Sequence, residues 1–180
     1  MKLVILDRDG VINIDSDRFI KTPDEWRPIP GALEAIARLN GAGFHVAVAT
    51  NQSGIERGLL DMNALNAIHA KMLKAAQQVG ARIDAIFYCP HSVDTECRCR
   101  KPLPGMFTDI GKRLNVALSG VPCIGDGSRD LQAATAAGGQ PFLVLSGKGA
   151  ATLAAGNLPT GTQIFNDLNA AVDAILATHR

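Results

Sequence analysis

The chain has 180 residues, enough for one substantial hydrophobic core and short for two. Its 47% hydrophobic and 19% charged residues exclude a disordered chain, and a formal net charge of +1 gives no field that would draw it to nucleic acid or an anionic membrane. One Tyr and one Trp leave little for a base-stacking platform, and no apolar run approaches the roughly 18 residues of a membrane span.

The start, "MKLVILDRDG", has an apolar run too short for a signal-peptide core, and charge follows at once, so the expectation is a cytoplasmic protein. Residues 3–6 read as a buried strand. A loop with Pro23, Pro28 and Pro30 leads to a helix over 31–43, with Leu33, Ile36, Ala37 and Asn40 at helical spacing. Residues 44–50 form the second strand. The clearest helix spans 61–80: Leu65, Ile68, Met72, Ala75 and Val79 follow the 3.6 period, Asp61 caps the start and Gly80 the end. A strand at 83–89, a helix at 106–115, a strand at 121–126, a helix at 129–138 and a strand at 141–145 follow. A short strand at 162–165 and a helix over 166–179, capped by Asn166, close the chain.

Apolar strands alternating with helices predict an α/β fold: a Rossmann-like, doubly wound parallel sheet covered on both faces, with residues 1–180 as one domain. Ligands in such sheets bind beyond the carboxyl ends of the strands. The polar residues there are Asp7 and Asp9 after the first strand, Thr50 and Asn51 after the second, and Asp126 and Asp130 after the fourth. Asp7 and Asp9, two apart, leave the strand on one side and repel unless a cation or a proton intervenes. Such an oxygen-rich set suits Mg²⁺. An EF-hand loop starting at Asp7 fails, with Val11 at its fifth position and Arg18 where the bidentate Glu belongs.

"LDRDGVI", "ATNQSG", "RKPLPG" and "GDGSRD" resemble, in order, the four motifs of the haloacid dehalogenase (HAD) superfamily phosphatases. The resemblance implies that Asp7 is the nucleophile and forms an aspartyl-phosphate. Asp9 would be the general acid and then base, kept protonated by neighbouring carboxylates. Thr50 would donate to the phosphoryl group and Lys101 would supply positive charge. Asp7, Asp126 and the backbone carbonyl of Asp9 would hold Mg²⁺, with Asp130 orienting Lys101 or a metal-bound water. The proline after Lys101 favours a fixed, extended backbone there.

Cys89, His91, Cys97 and Cys99 form a C-x-H-x5-C-x-C pattern. Three sulfurs and an imidazole fit a closed tetrahedral Zn²⁺ site, structural because no ligand position is left open. A disulfide is disfavoured: Cys97 and Cys99 are too close to bridge without strain, and the compartment is reducing. Cys123 reads as a buried, inert thiol. The metal would clamp a polar loop and aim Arg100 and Lys101 at the strand ends.

Much of residues 3–134, and "LVLSGKGA" beyond, is similar to the D-glycero-D-manno-heptose-1,7-bisphosphate 7-phosphatase family, which acts in the synthesis of heptose for lipopolysaccharide core or surface glycans. The resemblance implies a small phosphorylated sugar as substrate. Asp15, Ser16, Asp17, Arg18, Thr50, Asn51, Gln52, Ser53, Arg100 and Lys101 would face it, with Arg57 a looser candidate. Two features depart from the family pattern. The segment between His91 and Cys97 is short, as in histidinol-phosphate phosphatases, and Gly127 stands where many heptose enzymes carry Lys. Histidinol phosphate is thus the second substrate class. A non-enzymatic phosphosugar-binding module and a phosphotransferase are the other readings. No insertion is long enough for a large cap domain, which points to a monomer.

Overall fold

The computed structural model describes residues 1–178. Its strands are β1 (Lys2–Leu6), β2 (Phe44–Asn51), β3 (Ala85–Cys89), β4 (Pro122–Gly125), β5 (Gln140–Val144) and β6 (Gln163–Phe165). Its helices are α1 (Ala32–Gly41), α2 (Met62–Gln78), α3 (Gly105–Leu114), α4 (Ser128–Ala136), α5 (Gly149–Ala155) and α6 (Leu168–Thr178), with one 3-10 turn at Pro23–Glu25. The six strands form one parallel sheet in the order β3-β2-β1-β4-β5-β6. The order reverses between β1 and β4, which places the binding crevice beyond their carboxyl ends.

Strand side chains alternate between two cores, as the period of 2 requires. Val4, Leu6, Val46, Val48, Ile124 and Val144 pack with apolar residues of α1, α2 and α6. Leu3, Ile5, Ala47, Ala49 and Cys123 pack on the other face with Met106, Phe107 and Ile110 of α3 and Ala133 and Ala134 of α4. Both faces are covered, so the strands read as continuous apolar runs. Among the described residues no helix is long and apolar enough to cross a membrane.

The loop after β1 is held down as well. Trp26 is buried, and Lys71 of α2 donates to the Pro23 carbonyl at 2.7 Å and the Trp26 carbonyl at 2.9 Å.

Three expectations need correction. α5 is an unforeseen helix: it is short, Ala-rich and flanked by glycines, and among its residues only Gly149 is buried, so it has no apolar stripe to read. In α2 the inward stripe is Leu65, Ile68, His69, Met72 and Ala76, whereas Val79 is exposed, because the helix ends at Gln78 and Gly80 turns the chain at φ 77°. Asp61 caps its start as expected, accepting from Ala64 N at 2.8 Å. The cap of α6 is Asp167, which accepts from Ala170 N at 2.8 Å, in place of Asn166. Position 179, the expected last residue of that helix, lies outside the described residues.

Candidate active site

Asp7 directly follows β1 and extends its ladder, donating its N–H to Ile124 O of β4 at 2.9 Å. Its Oδ1 accepts from Arg8 N at 2.7 Å and from Lys101 Nζ at 3.0 Å. Its Oδ2 accepts no hydrogen bond among the described residues, which leaves one oxygen free to attack. Burial and the charges of Asp130, Asp126 and Asp9 push its pKa well up, against the pull of Lys101.

Lys101 is almost wholly buried. Its three ammonium protons meet three acceptors: Asp130 Oδ1 at 2.5 Å, Ala49 O at 2.7 Å and Asp7 Oδ1 at 3.0 Å. Burial opposes its charge, but Asp130 and Asp7 more than compensate and raise its pKa. Asp130 uses its second oxygen to accept from Gly127 N at 2.9 Å. Both its oxygens are therefore engaged, as a residue that orients Lys101 requires. This packing needs glycine at 125, where a Cβ would stand 2.2 Å from that of Asp130.

Asp9 departs from its expected state. The neighbouring carboxylates do not keep it protonated. Its carboxylate is turned to the buried guanidinium of Arg8, and it also accepts from Asn13 Nδ2 at 2.9 Å and Gln52 Nε2 at 3.0 Å. Burial pushes its pKa up, but Arg8 and these hydrogen bonds prevail and hold it below the usual carboxylate value.

Thr50, the last residue but one of β2, has its hydroxyl oxygen accepting from Gln52 Nε2 at 2.9 Å, which leaves its own proton to donate. Gln52 thereby bridges Thr50 and Asp9. Asn51 faces Lys101.

Asp126 follows β4. Its Oδ2 accepts from Lys148 N at 2.8 Å, and its backbone carbonyl from Thr152 Oγ1 at 2.7 Å, so the start of α5 seats it. Burial, then Asp130, lifts its pKa to about 7. Gly10, at φ 82°, approaches so closely that a Cβ would stand 2.0 Å from Asp126 Oδ2. Carboxylate oxygens of Asp7, Asp126 and Asp130 lie within 4.8 Å of one another. Buried, mutually repelling carboxylates with all-oxygen donors fit a hard divalent cation. Since Asp130 is engaged by Lys101 and Gly127, the oxygens left to such an ion are those of Asp7 and Asp126.

A cavity of about 550 Å³ opens above these residues. Asp7, Asp9, Asp15, Ser16, Asp17, Asn51, Gln52, Ser53, Arg57, Arg100, Lys101, Asp126 and Asp130 line it, so most of the expected set converges. Arg18 and Thr50 are not among the lining residues: Arg18 is exposed on the loop and Thr50 is buried. Phe19, Ser128, Arg129, Lys148 and Thr152 line it unforeseen. Lys148 follows β5, so a stricter use of the strand-end rule would have found it. Its Nζ lies 3.4 Å from Asp15 Oδ2 and 3.7 Å from Asp17 Oδ1, across the mouth. Arg57 stacks over Phe19, its guanidinium carbon 5.8 Å from the ring centroid. Burial, then the cations Arg129 and Arg57, lower the pKa of Arg100, and all three guanidiniums line the same cavity.

Cys89, His91, Cys97 and Cys99 come together as predicted. Cys89 Sγ lies 3.6 Å from His91 Nδ1 and 3.9 Å from Cys97 Sγ, and His91 Nδ1 lies 3.3 Å from Cys99 Sγ. Tetrahedral Zn²⁺ with Zn–S of about 2.3 Å gives edges of about 3.5–3.8 Å, so these distances fit, while the 2.9 Å between Cys89 and Cys99 is short of that edge. All four cysteines, including the buried Cys123, are free thiols. Glu56 hooks this loop to the one after β2: its carboxylate accepts from Thr95 Oγ1 at 2.6 Å and from Ser92 N. These bonds bring its pKa down to about 2. Arg100 donates to His91 O at 3.1 Å, so the Cys/His loop and the cavity share a wall.

Residues 2–138 match the model of the haloacid dehalogenase-like hydrolases. The chain is 58% identical over 176 residues to the D-glycero-beta-D-manno-heptose-1,7-bisphosphate 7-phosphatase of Bordetella bronchiseptica, covering 98% of each chain. It is 55% identical to the enzyme of that name from Pseudomonas aeruginosa, over 97% of each. The crystal structure of the B. bronchiseptica D,D-heptose 1,7-bisphosphate phosphatase complexed with magnesium and phosphate superposes with a TM-score of 0.98 at 57% identity, over 99% of each chain. With the four motifs meeting at one end of the sheet and relatives this similar along nearly the whole chain, the protein belongs to the haloacid dehalogenase-like hydrolases and, among them, to the heptose-1,7-bisphosphate 7-phosphatase family.

Proposed function

We propose that the protein is a Mg²⁺-dependent phosphatase that removes the C7 phosphate of D-glycero-β-D-manno-heptose 1,7-bisphosphate. The observation that carries this is the free Oδ2 of Asp7, set beside a cation-fitting carboxylate group under a cavity edged with arginines. The β anomer is taken from the names of the relatives.

Asp7 attacks phosphorus, the P–O bond to C7 breaks, and the leaving oxygen takes a proton from Asp9. Water then attacks the aspartyl-phosphate, Asp9 accepts the water's proton, and Asp7 departs as a carboxylate. The ionised Asp9 of this structure is the form for the second half. A dianionic phosphoryl group beside it favours the acid form for the first. Thr50 and Lys101 steady the phosphoryl oxygens. Mg²⁺ held by Asp7, Asp126 and the Asp9 carbonyl would offset the charge that otherwise repels a dianion from a carboxylate. Arg100, with Arg57 and Arg129, receives the second phosphate and replaces the cation that Gly127 lacks. Zn²⁺ on Cys89, His91, Cys97 and Cys99 fixes the loop that carries Arg100 and Lys101. The chain acts as one catalytic domain, as a monomer, in a compartment that keeps its thiols reduced.

The test is phosphate release in Mg²⁺ from both anomers of the bisphosphate and from histidinol phosphate. The β-bisphosphate is expected to be favoured at least about 100-fold, roughly 2.7 kcal/mol in the transition state, with Asp7→Asn inactive. Preference for histidinol phosphate would overturn the substrate, and activity in Asp7→Asn would overturn the mechanism.

A further inference from the structure

Between the two expected catalytic aspartates sits a residue of the opposite charge. Arg8 points to the other side of the chain from Asp7 and is fully buried. Its guanidinium forks onto Asp9: Nε reaches Oδ1 at 3.0 Å, and Nη2 reaches Oδ1 at 2.9 Å and Oδ2 at 3.2 Å. Its remaining arm, Nη1, meets Nε2 of His69 at 3.1 Å.

His69 is a buried polar residue in the otherwise apolar inner stripe of α2, and it lines no part of the cavity. An arginine cannot accept, so Nε2 of His69 accepts and its proton sits on Nδ1. Burial and the neighbouring Arg8 charge keep the ring neutral, which suits that duty.

We infer that His69 is a positioning residue for catalysis: it fixes the guanidinium plane of Arg8, whose fork in turn sets the direction of the Asp9 carboxylate. A fork–fork pair is directional, so turning the guanidinium turns the carboxylate. Gln52 holds Asp9 from the cavity wall, Asn13 holds it from the buried turn after β1, and Arg8 with His69 holds it from the core. Proton transfer to a leaving oxygen depends steeply on such alignment. The inference rests on the phosphatase reading of the site.

A role confined to packing predicts a different result from a role through Asp9, and leaving-group chemistry separates them. kcat/KM reports the steps up to leaving-group departure, so slow hydrolysis of the aspartyl-phosphate does not enter it. A sugar alkoxide needs protonation to leave, whereas p-nitrophenolate does not. His69→Leu removes the acceptor, and His69→Gln keeps one. The expected result is a fall of about 10-fold or more in kcat/KM on the heptose bisphosphate for His69→Leu, a change under about 3-fold on p-nitrophenyl phosphate, and recovery in His69→Gln. His69→Met supplies the same comparison if His69→Leu does not fold. Equal losses on both substrates, or no loss on either, would overturn the inference and leave the phosphatase reading intact. A wild type inactive on both substrates would overturn both.

Discussion

Asn51 holds Lys101 by both sides of its backbone: Oδ1 accepts from Lys101 N at 3.1 Å, and Nδ2 donates to Lys101 O at 3.1 Å. The end of β2 thus pins the loop that delivers the buried ammonium to Asp7. Asn51→Ala strands two partly buried backbone groups, at a cost of about 1–3 kcal/mol each if water does not replace the amide. It also lets the ammonium drift. The expected outcome is a drop of about 10- to 100-fold in kcat on the bisphosphate, with the variant still cooperatively folded by circular dichroism. Unchanged kcat would show that Lys101 is held by its carboxylate partners alone.

The arginines at the mouth are expected to act on binding. Arg129→Ala and Arg100→Ala should raise KM for the bisphosphate by about 10-fold or more, while a sugar 7-monophosphate loses much less. A charge-assisted, bidentate contact to a phosphate is on the scale of about 1.5–3 kcal/mol. Equal losses on both substrates would place these residues away from the second phosphate.

The Cys/His loop gives a prediction about metal content. Elemental analysis of the purified protein should find one zinc per chain, and Cys97→Ser should reduce it. Activity with Mg²⁺ restored should fall about 10-fold or more, because Arg100 and Lys101 follow that loop directly. Full activity in zinc-free protein would separate the loop from the chemistry.

Magnesium should stabilise the fold. It relieves repulsion among the buried carboxylates of Asp7, Asp126 and Asp130. At 100 times its dissociation constant a ligand adds about 2.7 kcal/mol, or about 5–10 °C in Tm for a chain of this size. Asp126→Asn should melt at a temperature insensitive to Mg²⁺. A magnesium shift that survives this substitution would place the ion elsewhere.

His69 makes stability depend on pH. Burial first, then Arg8, brings its pKa down to about 4, with Asp9 pulling the other way. In the unfolded chain a histidine takes its proton near 6.5. Above that value neither state is charged. As pH falls from about 6.5 to about 4, the unfolded state binds a proton that the folded state does not, so stability declines, by on the order of 3 kcal/mol in full. Urea midpoints of wild type and His69→Gln should therefore converge, or cross, between pH 7.5 and pH 4.5. Parallel curves would mean that the imidazole stays accessible to protons.

The parallel sheet was legible because strands buried on both faces are plain apolar runs. The carboxylates at their ends were legible for the same reason: they interrupt those runs. Arg8 carried no such mark, since a charged residue between two catalytic aspartates reads as solvated until the fold shows it buried. His69 was hidden by its helix, where the period pointed instead to Val79. Lys148 and Thr152 reach the site because α5, which follows β5, bonds at its start to Asp126 beyond the end of β4, a long-range placement that periodicity does not encode. The state of Asp9 was misread because its donors come from three places, Arg8, Asn13 and Gln52, and only the carboxylates around it could be seen in the motifs.

The strand order has a consequence for how the molecule comes into being. β1 lies between β2 and β4, so Asp7 sits on the seam joining two stretches of chain made at different times. During synthesis, β1, β2 and β3 can pair into a half-sheet while the β1 edge awaits β4. The Asp7 carboxylate therefore gains its reactivity only after residue 126 arrives, and the seat of Asp126 is complete only when Gly147 closes against Gly10. Until β4 joins that edge, a nascent chain carries its nucleophile without the groups that make it reactive.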